Sequence, residues 1–282
     1  MIMLKKISLI ILAVVLSVGL VVSPAFAASK EARVVIGADN TENQISEIYN
    51  YFGVNRGDVT ELQLTNAEER QYLNGLVPDE KIGNIALSCV YIEPNDGGGL
   101  ALSINNINYV TQKMYESALA TAGVTDAKVK ITAYKPVSGT GALAGIYKAY
   151  EDMTGQTLDS FAKDTAIEEL VVTGELQEAL GDVSSDIIND LKGKLKETKN
   201  MSDDQIIELI KETAAKYNVT LTEDQIQQIL QLVKKFNELN IDPDTFLNLF
   251  QAKQGVTNFF TTVGDFFKSI GDFFVNLFGG NK

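Results

Sequence analysis

Ile85-Ala-Leu-Ser-Cys-Val-Tyr-Ile-Glu93, Pro94-Asn-Asp-Gly-Gly-Gly99 and Leu100-Ala-Leu-Ser-Ile-Asn-Asn106 follow one another without interruption. The two outer segments are apolar runs, and the segment between them holds only turn formers apart from its position in the chain. The pattern predicts two strands joined as a hairpin. Working outward, Arg33 to Ala38 reads as a short apolar strand, Thr41 to Phe52 as a helix, and Val59 to Leu64 as a second strand. Thr65 with Glu68 three residues on is a capping box that opens a short helix. On the other side, Val110 to Ala122 is a helix stopped by Gly123, Ala127 to Tyr134 alternates as a strand, and Gly141 to Met153 is a helix stopped by Gly155. Residues 33–155 are therefore expected to form an α+β domain with a small sheet.

Beyond residue 155 the periodicity is helical, and residues 156–254 carry an internal period of twenty. Ser202, Thr222 and Asp242 each stand where an N-cap belongs, preceded by Met201, Leu221 and Ile241 and followed four residues later by Ile206, Ile226 and Phe246. That is a hydrophobic staple three times over, with Gln205 and Gln225 completing two capping boxes. Pro243 takes the first helical position, where its missing N–H costs nothing. A further helix is expected from Ser184 to Lys199, with Asp186 and Asp190 early and Lys194, Lys196 and Lys199 late, the order that the helix dipole favours. The fold class is thus α+β, with an all-α array after the mixed domain.

Residues 255–282 are expected by the same criteria to form a Phe-rich amphipathic helix. Val256, Phe259, Val263, Phe266, Ile270, Phe273 and Leu277 alternate three and four apart, and Phe260, Phe267 and Phe274 widen the stripe to one side. Each phenylalanine buries roughly 150 Å² or more, so the stripe exceeds the exposed apolar patch that a soluble monomer tolerates. The protein's own helices, a membrane surface or another chain must cover it. Spanning a bilayer is disfavoured, because Asp265, Lys268 and Asp272 lie mid-segment. The expected membrane or partner contacts are Phe259, Phe260, Val263, Phe266, Phe267, Ile270, Phe273, Phe274, Leu277 and Phe278.

The other terminus reads as an export signal over residues 1–27: Lys5 and Lys6, an apolar run from Ile7 to Val22, and Ala25-Phe26-Ala27 as the cleavage site. Its removal leaves 22 basic against 37 acidic residues, a net charge of −15 over 255 residues. Such a surface repels nucleic acid, which is not an expected partner. The expected location is secreted or extracellular, with retention at the outer face of the cytoplasmic membrane if the Phe stripe docks there. Cys89 is the single cysteine, so no intramolecular disulfide forms and stability must come from the core.

Several words between residues 85 and 155 are similar to those of a known family: Ser88-Cys-Val-Tyr-Ile-Glu93, Asn105-Asn-Ile-Asn-Tyr-Val-Thr111, Met114-Tyr-Glu-Ser-Ala-Leu-Ala-Thr-Ala-Gly123 and Val137-Ser-Gly-Thr-Gly-Ala-Leu-Ala-Gly-Ile-Tyr-Lys-Ala-Tyr-Glu151. With Glu69-Arg-Gln-Tyr-Leu73 upstream and Glu169-Leu-Val-Val-Thr173 downstream, they resemble the domain of unknown function 1002 family of exported Gram-positive proteins over roughly residues 33 to 181. The resemblance implies export and implies no catalytic residue, because the family has no assigned activity.

The residues themselves restrict the chemistry. The chain has no histidine, which removes the commonest general base, the usual serine and cysteine triads and nearly all catalytic zinc sites. Cys89 lies in an apolar strand and reads as an inert buried thiol. Glu61, Glu68, Glu69, Glu93 and Asp96 are the carboxylates from which an acid–base pair would be drawn, although their spacing fits a solvated surface better. Gly139-Thr-Gly-Ala-Leu-Ala144 follows a strand and opens a helix like a dinucleotide loop, but no βαβ unit follows. Ser138 or Thr140 is expected to cap that helix, with Gly141 and Gly145 allowing close packing on the sheet. If a small anion binds, it binds at Ser138, Gly139, Thr140 and Gly141. Asp242-Pro-Asp244 lacks the rest of a calcium loop, so no metal and no cofactor is expected. The favoured reading is a non-catalytic, envelope-associated binding protein. A carboxylate-dependent hydrolase of cell-wall or extracellular polymer and a self-assembly module built on the Phe helix are the alternatives.

Overall fold

In the computed structural model, which describes residues 32–239, the mixed half is organised on a short βαβ unit. Strand β1 (Arg33–Gly37) is buried along its whole length and pairs in parallel with β2 (Thr60–Leu64). Helix α1 (Glu42–Phe52) makes the crossover, opened by a capping box between Thr41 and Gln44 and closed by Gly53 in the left-handed region at φ 74°. Gly37 ends β1 where the backbone of Ala86 crosses it, and any Cβ there would collide with that backbone. Glycine is required at that crossing.

On its other side β1 pairs antiparallel with β3 (Cys89–Pro94), giving way to β5 (Ala127–Val137) and then β4 (Leu100–Ile107). The sheet order β2-β1-β3-β5-β4 corrects the predicted hairpin, because β5 lies between the two strands that were expected to pair. Pro94 and Leu100 both face Ala127, one across an antiparallel ladder and the other across a parallel one. The connecting turn is fastened to the start of β5. Asn95 donates its backbone N–H to Asp126 O at 3.0 Å, and Gly99 donates its own to Asp126 Oδ1 at 2.8 Å. A glycine-rich connection is long enough to step over one strand, and a distant segment filled the gap.

Helices α4 (Gln112–Ala122) and α5 (Thr140–Thr154) cover one sheet face, packing Met114, Leu119, Leu143 and Tyr147 with Val35, Val90 and Ile131. Helix α1 covers the other, against Val34, Ile36, Cys89 and Tyr91. Gly145 brings α5 onto Val90, Val35 and Leu64, as expected of a small residue at a helix–sheet contact. Helices α2 (Asn66–Leu73) and α3 (Asp79–Ile82) lie between β2 and β3 in sequence, and the Thr65–Glu68 capping box is formed.

Helix α6 (Ser160–Leu180) belongs to both halves. Ala166, Ile167 and Leu170 join the core beneath the sheet, while Ala162 and Leu176 join a second core. That second core is built by α7 (Val183–Lys192), α8 (Leu195–Thr198), α9 (Asp203–Lys216) and α10 (Glu223–Glu238). The helix expected from Ser184 to Lys199 is interrupted, since Lys194 leaves the helical region at φ −108° and ψ 15° after Gly193. Glycine lowers helix propensity there, and Leu191 and Leu195 still share the core across the break. The capping boxes at Ser202–Gln205 and Thr222–Gln225 are both present. The third expected cap, Asp242, and the whole Phe-rich segment lie outside the described residues. Among the described residues no helix is long and apolar enough to cross a membrane.

Candidate functional site

The loop into α5 is where a small anion was placed if one binds, and the structure gives each of its residues a partner within the protein. Gly139 is the N-cap, at φ 94°, so the expected cap by Ser138 or Thr140 is not formed. Both hydroxyls instead donate to the carbonyl of Lys81, Ser138 at 2.7 Å and Thr140 at 3.0 Å. The carbonyl lies fifty-odd residues away in sequence, beyond the reach of a local cap motif. Tyr115 donates its phenol to Gly139 O at 2.5 Å. Gly141 has no room for a Cβ, because the carboxyl of Glu69 on α2 lies against it.

Glu69 is 2% exposed and accepts from Asn66 Nδ2 at 3.0 Å. Burial pushes its carboxyl up to about 7, and the charge of Asp39 adds to the effect, while Asn66 and Arg70 oppose it. Arg70 follows Glu69 directly, yet its guanidinium is directed to Asn66 Oδ1, Asp79 Oδ1 and Gly83 O. The carboxyl of Glu69 thus lies against the first turn of α5, where the sequence placed a small anion. The group itself can hold or release a proton near neutral pH.

A second polar centre lies where α4, α6 and α7 meet. Lys192, 0% exposed, donates to Glu169 Oε1 at 2.6 Å, to Ser117 Oγ at 2.9 Å and to Ser117 O at 3.0 Å. Its ammonium also lies 5.1 Å from the Phe236 ring centre. Ser117 and Thr121 donate their hydroxyls to the two oxygens of Glu169, and Ser117 Oγ lies 2.6 Å from Asn189 Oδ1. Burial lowers the Lys192 ammonium to about 8, against the attraction of Glu169. A serine hydroxyl beside a lysine is a pairing that supports nucleophilic catalysis when substrate can reach it. Here Ser117 is 3% exposed and Glu169 1%, and the ammonium is turned onto the carboxylate, so the arrangement joins three helices.

The remaining carboxylates are spread over the surface. Glu61 accepts from Tyr49 and from Nε and Nη2 of Arg56. Glu68 serves its capping box and pairs with Lys148 at 2.5 Å, which holds it down at about 2, with the Thr65 backbone bond adding to the effect. Glu93 and Asp96 share a shallow depression of about 340 Å³ with Ala32, Pro94 and Lys128. Glu93 there accepts from Tyr91 at 2.6 Å and from Lys128 at 3.1 Å. Cys89 is buried, its thiol pushed up to about 12 by desolvation. Among the described residues no group of three or more potential ligands is placed to hold a metal.

The model of the family described as protein of unknown function DUF1002 matches residues 36–252, from β1 through the helical array. The chain belongs to the DUF1002 family. A curated relative, described as uncharacterized protein YpuA of Bacillus subtilis (strain 168), is 36% identical over 245 residues, covering 84% of this chain and 83% of the relative. No solved structure matches. The DUF1002 match extends past the stretch of the resemblance, which ended near residue 181, and takes in the capping boxes at Ser202 and Thr222.

Sequence reasoning on this DUF1002 protein missed the Ser117–Glu169–Lys192 centre, although a signal for it exists. Glu169 occupies a stripe position on α6 with Ala162, Ala166, Thr173 and Leu176, and Lys192 continues the buried positions Ser184, Ile188 and Leu191 of α7. A charged residue in an apolar stripe is the mark of a buried partner.

Proposed function

We propose that this DUF1002 protein is an exported, non-catalytic binding protein of the cell envelope, held at the outer face of the cytoplasmic membrane by residues 256–278. The reading rests on the leader pattern of residues 1–27 together with the Phe stripe. The observation that carries it is the stripe itself, whose apolar face exceeds what a soluble monomer leaves exposed. Asp265, Lys268 and Asp272 on its polar face suit a helix lying at a surface rather than crossing it. The internal engagement of Ser117, Lys192 and Glu169 supports the non-catalytic part of the proposal.

The test is flotation of the mature chain, residues 28–282, with vesicles of phosphatidylglycerol and phosphatidylethanolamine. The wild type is expected to float with the vesicles, and the Phe266→Asp/Phe273→Asp variant to stay in the soluble fraction. Wild-type protein that remains soluble would remove the membrane attachment.

A further inference from the structure

The two edges of the sheet are finished differently. At β2, five residues long, Lys148 Nζ donates to the carbonyl of Gln63 at 2.6 Å, and Glu61 is held by Arg56. A short strand carrying charge and capped by a lysine is a blunted edge. At the opposite edge β4 runs for eight residues, Leu100 to Ile107, without a charged side chain or a proline. A bulge between Asn105 and Ile107, with Asn106 at φ 54°, limits the regular stretch to Leu100–Asn105. Among the described residues β5 is its sole strand partner, so alternate backbone groups of β4 point outward without a ladder.

The side chains of this strand complement their own two-fold copy. Leu102 and Ile104 pack on the core under α4 but are only half-buried, whereas Ala101, Ser103 and Asn105 are exposed on the opposite face. In an antiparallel pairing centred on Ser103, Ser103 meets Ser103, Leu102 meets Ile104, and Ala101 meets Asn105 of a second copy. Every pair keeps its face, and the two half-buried residues cover each other. The ends are complementary as well. Asp96 and Asp126 stand at the beginning of β4, and exposed Lys135 on β5 stands beside its end, so antiparallel pairing brings acidic end toward basic end.

We propose that β4 is a homotypic edge, through which a second copy of the chain adds antiparallel at Leu100–Asn105 to give one sheet continuous through both copies. The interface is independent of the Phe-rich segment and of membrane attachment.

Sedimentation of the mature chain, residues 28–282, over a micromolar concentration series tests the pairing. The wild type and the Phe266→Asp/Phe273→Asp variant are expected to dimerise alike, and Ser103→Lys to weaken the dimer by about tenfold or more. Ser103→Cys is expected to give a covalent dimer on mild oxidation, since residues facing across an antiparallel pair lie roughly 4.5–5.5 Å apart between Cα atoms. Native Cys89, 0% exposed, does not compete. A wild type that stays monomeric throughout overturns the proposal, as does a dimer lost in the Phe variant but kept in Ser103→Lys. Failure of Ser103→Cys to cross-link also overturns it, because that variant leaves the edge uncharged and reads the register directly.

Discussion

Glu69 and Glu169 are both sealed from water, at 2% and 1% exposure, but their surroundings treat the carboxyl in opposite ways. Glu169 has the Lys192 ammonium on one oxygen and a hydroxyl on each. Glu69 has one amide, while the neighbouring Arg70 spends its guanidinium elsewhere. Burial alone therefore does not decide what a carboxylate does in this fold. A cation within reach makes it a bolt between helices, and the lack of one leaves it close to titration at neutral pH.

The largest effect belongs to the bolt. Lys192→Met alone strands Glu169 in the interior and is expected to cost about 3–5 kcal/mol. Glu169→Leu with Lys192→Met removes both charges and is expected to recover most of this, ending within about 1–2 kcal/mol of wild type. Guanidinium unfolding of the mature chain measures both. A double variant as unstable as the single would show that the ion pair is not the reason for the loss. Glu69 is expected to act through pH. Its folded value of about 7 is above the ordinary 4.5, so the folded chain keeps a proton that the unfolded chain has released between those values. That stabilisation is complete below pH 4.5 and is lost as the pH rises through 7. Glu69→Gln should remove on the order of 1–3 kcal/mol of this dependence between pH 5 and pH 8. Wild-type and Glu69→Gln stability curves that run parallel over that range would contradict the assignment.

The two glutamates also mark how far the fold was legible. Strands and helices were readable because their signals are local: β1 as an apolar run, α1 from Thr41 to Gly53, and the capping boxes at Thr65, Ser202 and Thr222 from residues three apart. The partner of β3 was not readable, because a glycine-rich turn serves a hairpin and a stepped-over strand equally well, and Asp126 decides between them from outside the segment. The α5 cap failed for the same reason, since the Lys81 carbonyl that takes Ser138 and Thr140 arrives from far along the chain. Glu169 and Lys192 were half legible: each breaks an apolar stripe, but only the crossing of α6 and α7 shows that they break it for each other.

The smallest effects test whether the bolt makes the two halves unfold together. Ser202→Ala and Thr222→Ala each remove an exposed cap bond, from Gln205 N at 3.4 Å and from Gln225 N at 3.3 Å, and each is expected to cost about 1 kcal/mol. The two sites open different helices and share no partner, so the costs should add. Both lie in the array, remote from the sheet in sequence, while α6 contributes to both cores. If α6 and the Glu169–Lys192 pair couple the halves, the cap variants will move one cooperative transition, seen alike by far-ultraviolet circular dichroism and by the fluorescence of the sheet-half tyrosines. Two separated transitions, with only the array responding to the caps, would mean that the buried pair holds α7 against α4 and α6 without making a single folding unit. The Lys192→Met variant should then split the transition further, and the cap variants supply the reference shift against which that split is read.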